Sequence, residues 1–297
     1  MKSLRGLLLL ALTIVASVAY AQEIDESEWN KHSVRPVRNA DIMFKRTVWY
    51  RVNLNDKINQ PFFAKNRWLP KLMIDAVKSS LLRPYENDSL KKRLTIDEFK
   101  ERIKKPNLGG DSGGGDDWGG GDDWGGGGGG GWGDTGGGGG WGDDSGSAGG
   151  GAVAESSDEL YPEDIYLMDV KVDILFDRRR GKWIHDIQVL SLVLPAENNG
   201  GTLERQVASF SYKEVVENLF KENRDALWYN DKNLAESKNL SDAFDLLLFD
   251  GKITKYSNTQ DKDIALLYGD AKGDIALMKG LEYKYDLVEF ESDLWSN

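Results

Sequence analysis

Two histidines, His32 and His185, stand 153 positions apart, and the chain contains no cysteine. Without cysteine there is no thiolate catalysis, no thiolate metal site, no disulfide and no lipid anchor on an N-terminal cysteine. His185 falls on a strand, on the face of Trp183 and Ile187, where a structural histidine outweighs a base or a ligand. His32 lies in a polar, irregular stretch. No serine sits in a nucleophile-elbow pattern, and no glycine run carries the Lys-Ser/Thr of a phosphate-binding loop. DELYPED (158–164) offers an acid and base pair, but residues 152–297 hold 29 acidic side chains, so such clusters arise by chance. No catalytic, cofactor-binding or metal-ligating residue is expected, and an enzyme is disfavoured.

Other residue groups suit binding. Arg178, Arg179 and Arg180 crowd one turn with Lys182, and guanidinium forks fit the carboxylates of an acidic partner. A solvated turn is the plain alternative. Trp49 and Arg51 share the polar face of an alternating strand. Trp118, Trp124, Trp132 and Trp141 punctuate a glycine string whose clearest repeat is GGGDDW. Lys182 apart, these nine residues are the candidate protein interface.

The string runs from Gly109 to Gly151 and holds 26 of the 34 glycines, eight aspartates and no cation. It has too little apolar surface to offset the entropy of ordering, so a disordered linker is expected over 109–154. Its aspartates keep such a coil soluble, and its tryptophans are either passengers on a spacer or weak anchors in a partner's grooves. A calcium-binding β-roll needs a nine-residue period with single aspartates, which this six-residue repeat does not meet.

Strong periodicity lies on both sides of the string. In TVWYRVNL (47–54), Val48, Tyr50, Val52 and Leu54 alternate with Trp49, Arg51 and Asn53, which predicts a half-buried strand. A helix is expected over 69–82, with Pro70 in its first turn and Pro84 beyond its end. Thr95 and Glu98 form a capping box opening a second helix through Ile103. IYLMDVKVDILFD (165–177) and WIHDIQVLSLVLP (183–195) flank DRRRGK and read as an antiparallel hairpin, with a third strand at 205–212. Ser211 with Glu214, and Ser241 with Asp242, are candidate helix caps, and Gly251 a helix stop. The tail from Ile264 to Trp295 reads as largely helical, with Leu277, Leu281, Tyr285 and Val288 on one face. The fold class is α+β: an antiparallel sheet built around a hairpin with packed helices, interrupted by the disordered Gly/Asp/Trp-rich insertion.

Residues 1–21 have the parts of a secretory signal peptide: Lys2 and Arg5, an apolar run from Leu7 to Val18, and Ala19-Tyr20-Ala21. The organisation expected is therefore a signal at 1–21, a flexible arm at 22–39, an α+β unit at 40–108, the linker at 109–154 and a second α+β unit at 155–297. The net charge of −11 divides unevenly, with residues 22–108 at +7, the string at −8 and residues 152–297 at −12. Opposite blocks can attract each other or meet oppositely charged partners. Export and an acidic total disfavour nucleic acid.

The order of these segments resembles the GldN/PorN family of the Bacteroidetes type IX secretion and gliding-motility machinery. Four stretches carry the likeness: ADIMFKRTVWYRVNLNDKINQPFF (40–63), DVKVDILFDRRRGKWIHDIQVLSLVLP (169–195), LSDAFDLLLFDGKITKYSN (240–258) and EYKYDLVEFESDLW (282–295). The first holds a tryptophan-containing strand and an L-x-x-K-I-N-x-P turn, the third a K-x-S-N ending, and the last closes on Asp-Leu-Trp. Ile174-Leu175 and Gly181 depart from the family's pattern, which has an aromatic-rich stretch and a serine there. The resemblance implies a periplasmic, non-enzymatic structural subunit without cofactors, held at the outer membrane by a GldK/PorK-type lipoprotein. It also implies self-association within a ring and contact with the periplasmic region of a GldM/PorM-type inner-membrane motor protein. A peptidoglycan-binding module, suggested by ten tryptophans in an exported chain, is the competing reading.

Overall fold

The computed structural model describes residues 28–30, 32–64, 68–105, 159–200, 203–269 and 273–296. The signal segment, the start of the arm, the linker and Trp118, Trp124, Trp132 and Trp141 lie outside the described residues.

In chain order the strands are β1 (Ile42–Asn53), β2 (Leu167–Asp177), β3 (Lys182–Leu194), β4 (Arg205–Ser211), β5 (Leu227–Trp228), β6 (Lys238–Asn239) and β7 (Lys252–Tyr256). Five of them pair antiparallel in the order β4-β3-β2-β1-β7, while β5 and β6 form a separate two-stranded ribbon. The alternation seen in the sequence decides the register. Val48 faces Val172 and Tyr50 faces Val170 on one side of the sheet, while Trp49 faces Lys171 and Arg51 faces Asp169 on the other. A slip of one residue would exchange these two sets, placing charges in the core. β1 precedes the linker and β2 follows it, so both flanks of the string contribute to one sheet and one core.

The helices are α1 (Leu69–Lys78), α2 (Ile96–Arg102), α3 (Tyr212–Val215), α4 (Leu240–Asp245), α5 (Ile264–Leu267) and α6 (Asp274–Ser296). α1 buries Leu69, Met73, Ile74, Ala76 and Val77. α2 opens on the Thr95–Glu98 capping box, with both reciprocal hydrogen bonds formed. Phe244 of α4 is a hub: the rings of Phe62, Phe249, Tyr212 and Phe220 lie 5.0, 5.8, 5.9 and 6.0 Å from it. Burying a side chain of that size stabilises by about 2–3 kcal/mol before entropy is counted.

Several local expectations change. α1 stops at Lys78 rather than at 82, because Ser80 turns the backbone to φ 60. The capping box at Ser211 does not form; the Glu214 carboxylate is taken instead by Arg93 at 2.7 Å and Tyr85 at 3.2 Å. α3 then widens into a single π-helical segment, Val216–Phe220. Asn239, not Ser241, caps α4 by accepting from the Ser241 amide at 2.8 Å, and α4 ends at Asp245, well before Gly251.

α6 keeps Leu277, Leu281, Tyr285 and Val288 on one face, as the spacing predicts, but packs through another. It packs on β7 and the hairpin through Ala276, Gly280, Tyr283 and Leu287, with Phe290 anchoring its end, while Leu277, Leu281, Tyr285 and Val288 face outward. Gly280 brings the helix close enough to β7 that a Cβ there would sit 2.8 Å from the Ile253 carbonyl oxygen. Tyr283 stacks on Tyr256 at 4.4 Å, and Phe290 meets Phe44 at 4.8 Å. The helix carries two apolar stripes, so periodicity could not choose between them; the small-residue stripe wins because it allows close approach.

Candidate protein interface

The hairpin tip is built by Asp177. Its backbone carbonyl accepts from the Gly181 amide at 2.8 Å, and its carboxylate accepts from the amides of Arg179 at 2.9 Å and Arg180 at 3.1 Å. Gly181 supplies the φ of +57 that closes the turn, a conformation a branched side chain would resist. The Arg178 amide is tied to the Asp41 carbonyl at 2.8 Å. With all these backbone groups satisfied internally, the exposed Arg178, Arg179 and Arg180 side chains project from a fixed turn.

The segment before β1 completes the surface. Asn30 and Ser33 donate to the buried Asp186 carboxylate at 2.5 and 2.7 Å, Arg35 reaches Asp245 at 2.7 Å, and Val37 is buried. Trp29 and Arg38 bridge across this segment, with the guanidinium 5.3 Å from the indole centre. Between segment and tip lies a groove of about 600 Å³ lined by Trp29, Arg38, Arg179 and Arg180, with Asp41 and Asp177 behind them. Asp177 is occupied by the turn and by Arg180 at 3.6 Å, and Arg38 pairs with Glu28 at 3.8 Å; the guanidinium N–H donors left over by these contacts, with those of Arg179, suit a carboxylate-bearing surface.

Burial pushes the Asp186 carboxyl up to about 7; Ser33, Gln188 and Lys45 pull it down, and Asp173 adds like charge. The attachment of the arm is thus a protonation-sensitive element beside the groove.

Trp49 and Arg51 are brought together on the outer face of the sheet, away from the hairpin tip, and both are already engaged. Arg51 grips Asp169 with a two-pronged fork, with Nη2 2.9 Å from Oδ2, and also contacts Glu204. Burial opposes both charges of this pair: it leaves Asp169 raised, while the carboxylates overcome it to hold Arg51 above its ordinary value. The bidentate geometry favours an ionised pair. The Trp49 indole donates to Asp88 at 2.8 Å, and its ring is flanked by Lys171 at 5.1 Å and Lys255 at 4.9 Å. Those cations occupy the ring's surroundings, where a sugar would have to stack. His185 borders a cavity of about 230 Å³ under α6, near Trp183 and Glu291, with its pKa lowered by desolvation.

Two segments of the sequence acquire a structural meaning here. The buried Asn59 of the L-x-x-K-I-N-x-P turn donates to the carbonyls of Asn53 and Asp250 and accepts from the Asp250 amide, each at 2.8 Å. It staples the end of β1 to the start of β7. Asn258, which ends the K-x-S-N run, organises the following loop through Tyr256, Gln260 and Lys262. The part played by Trp29 and Arg38 was missed in the sequence, where the stretch is polar and irregular and carries no local signal for it.

No curated protein matches this chain. Residues 37–296 match the family described as "Gliding motility associated protein GldN". That span takes in every described strand and helix of the sheet and core, and the Asn59 staple with them. The chain therefore belongs to the GldN family, and is a component of the gliding-motility and type IX secretion machinery.

Proposed function

We propose that the chain is a non-enzymatic structural subunit of that machinery, exported to the periplasm. It is held at the outer membrane by a lipoprotein of the GldK/PorK type, self-associates into a ring, and contacts the periplasmic region of a GldM/PorM-type motor protein. Family membership supports this reading, and the observation that carries it to particular residues is the rigid arginine groove at the hairpin tip. Arg178, Arg179 and Arg180 are the contact to an acidic surface of a neighbouring subunit, with Arg38 and Trp29 beside them. No helix among the described residues is long and apolar enough to cross a membrane, so attachment through a membrane-bound partner suits the chain. Trp49 and Arg51 contribute by holding the outer sheet face in shape. The string at 109–154 is a spacer whose tryptophans touch a partner at most weakly.

The test is genetic. A strain lacking this chain is complemented with the wild type, with Arg178→Glu/Arg179→Glu/Arg180→Glu, or with a deletion of residues 109–151. Extracellular proteins bearing C-terminal secretion signals are then measured. The reading requires secretion with wild type and with the deletion, and its loss with the charge reversal at equal protein level. Normal secretion by the charge-reversed variant would remove the tip from the account.

A further inference from the structure

α6 has an outward stripe that nothing in the described structure covers. Met278, Leu281, Tyr285 and Val288 are 70, 48, 72 and 58% exposed, beside the exposed Leu277. Their spacing of three, four and three residues matches alternating a and d positions in a heptad and sets them on one side of the helix as a continuous apolar stripe, a form another helix can pack against. The stripe is separate from the face holding α6 to the body, where Gly280, Tyr283 and Leu287 pack. Val288 also borders the cavity beneath α6, while Met278, Leu281 and Tyr285 are outside the core cluster among the described residues.

The charges beside it define what can cover it. At 100° per residue, Glu282, Asp286 and Glu289 line one shoulder of the stripe. Lys279 holds one oxygen of the exposed Glu282, Oε2, at 2.5 Å from behind, while Asp286 and Glu289 make no salt bridge among the described residues. On the other shoulder Lys284 alternates with Glu291. Two copies of this helix would bring acidic shoulders together, and residues 152–297 already carry a net charge of −12. A helix with lysine or arginine beside its apolar seam meets both requirements.

We propose that the outer face of α6 is a docking site for a basic amphipathic helix of a different protein, packed against Met278, Leu281, Tyr285 and Val288 with its cations over Glu282, Asp286 and Glu289. This contact is independent of the arginine groove, which selects the opposite charge.

The probe is a synthetic helical peptide of about three heptads, with Leu and Ile at a and d and Lys and Arg at e and g. Its twin carries Glu at e and g. Fluorescence anisotropy against the purified chain is expected to show the basic peptide binding about tenfold tighter than the acidic one, from roughly three rim ion pairs. Leu281→Glu/Val288→Glu, at surface positions and checked for unchanged helicity, should weaken the basic peptide by about tenfold or more. Glu282→Lys/Glu289→Lys should reverse the preference toward the acidic twin, an effect that misfolding cannot mimic. Equal binding of the two peptides, or no binding of either, overturns the proposal. So does a dimer of the chain alone, seen by sedimentation and abolished by Leu281→Glu/Val288→Glu, because the occupant is then a second copy.

Discussion

Replacing Gly280 with alanine sets two well-understood effects against each other. In a solvent-facing helix the change stabilises by about 1 kcal/mol, since glycine is the costlier residue in a helix interior. Here the new Cβ would lie 2.8 Å from the Ile253 carbonyl oxygen and 3.6 Å from the Ile253 Cβ. The obstacle is β7 backbone, which cannot rotate away as a side chain would. Relief requires α6 to move off the strand by about half an ångström, loosening contacts that are steep in distance. Overpacking of this kind costs about 1–3 kcal/mol, and disturbing the Tyr256–Tyr283 stack adds up to about 1 kcal/mol. The clash wins, and Gly280→Ala should destabilise by about 1–2 kcal/mol net. For a chain of this size that lowers Tm by about 2–8 °C. Thermal unfolding followed by circular dichroism reads it, with Ser292→Ala on the exposed side of the same helix as control. The control should be neutral or gain up to about 0.5 kcal/mol. A Gly280→Ala variant as stable as the control would show that α6 does not approach β7 as described.

Other consequences are equally direct. Asn59→Ala removes three hydrogen bonds at a fully buried position and leaves the Asp250 amide without its acceptor; urea unfolding should show a loss of about 2–3 kcal/mol. Arg51→Ala leaves Asp169 without its fork, and should cost about 2 kcal/mol, with Arg51→Lys recovering part of it. The fold raises Asp186 from its ordinary 3.8 to about 7, so it favours the neutral carboxyl. That contribution is complete below pH 3.8 and is lost as pH rises through about 7. Acidifying from about pH 8 to pH 5 should therefore stabilise the wild type relative to Asp186→Asn by about 2 kcal/mol, seen as a flatter pH profile in the variant. If the variant's profile parallels the wild type's, Asp186 is not the titrating group.

Elements with strict alternation or a reciprocal cap were legible in the sequence. Val48, Val52, Met168, Val170 and Val172 announced their strands because a half-buried sheet imposes period two on them, and Thr95 with Glu98 announced α2. Where two groups could satisfy one role, the sequence was ambiguous. Glu214 could cap α3 or pair with Arg93, and only the fold brings Arg93 within reach. α6 carries apolar residues on both faces, and the choice rests on Gly280 meeting Ile253 across the chain. The arginines at 178–180 were visible as a cluster, but the groove was not, because Trp29 and Arg38 join it through a long-range docking. Asn30 and Ser33 reach Asp186 across 156 and 153 positions, a contact no local pattern encodes.

An assembly subunit whose arginine tip meets a neighbour must bind that neighbour in solution. Co-purification with the outer-membrane lipoprotein partner tests it most directly, using size-exclusion chromatography with light scattering on the mature chain, alone and mixed. A shared peak of a mass well above either component is expected, lost when Arg178, Arg179 and Arg180 are changed to glutamate while the fold is retained. A chain that stays monomeric and elutes apart from the lipoprotein would contradict it.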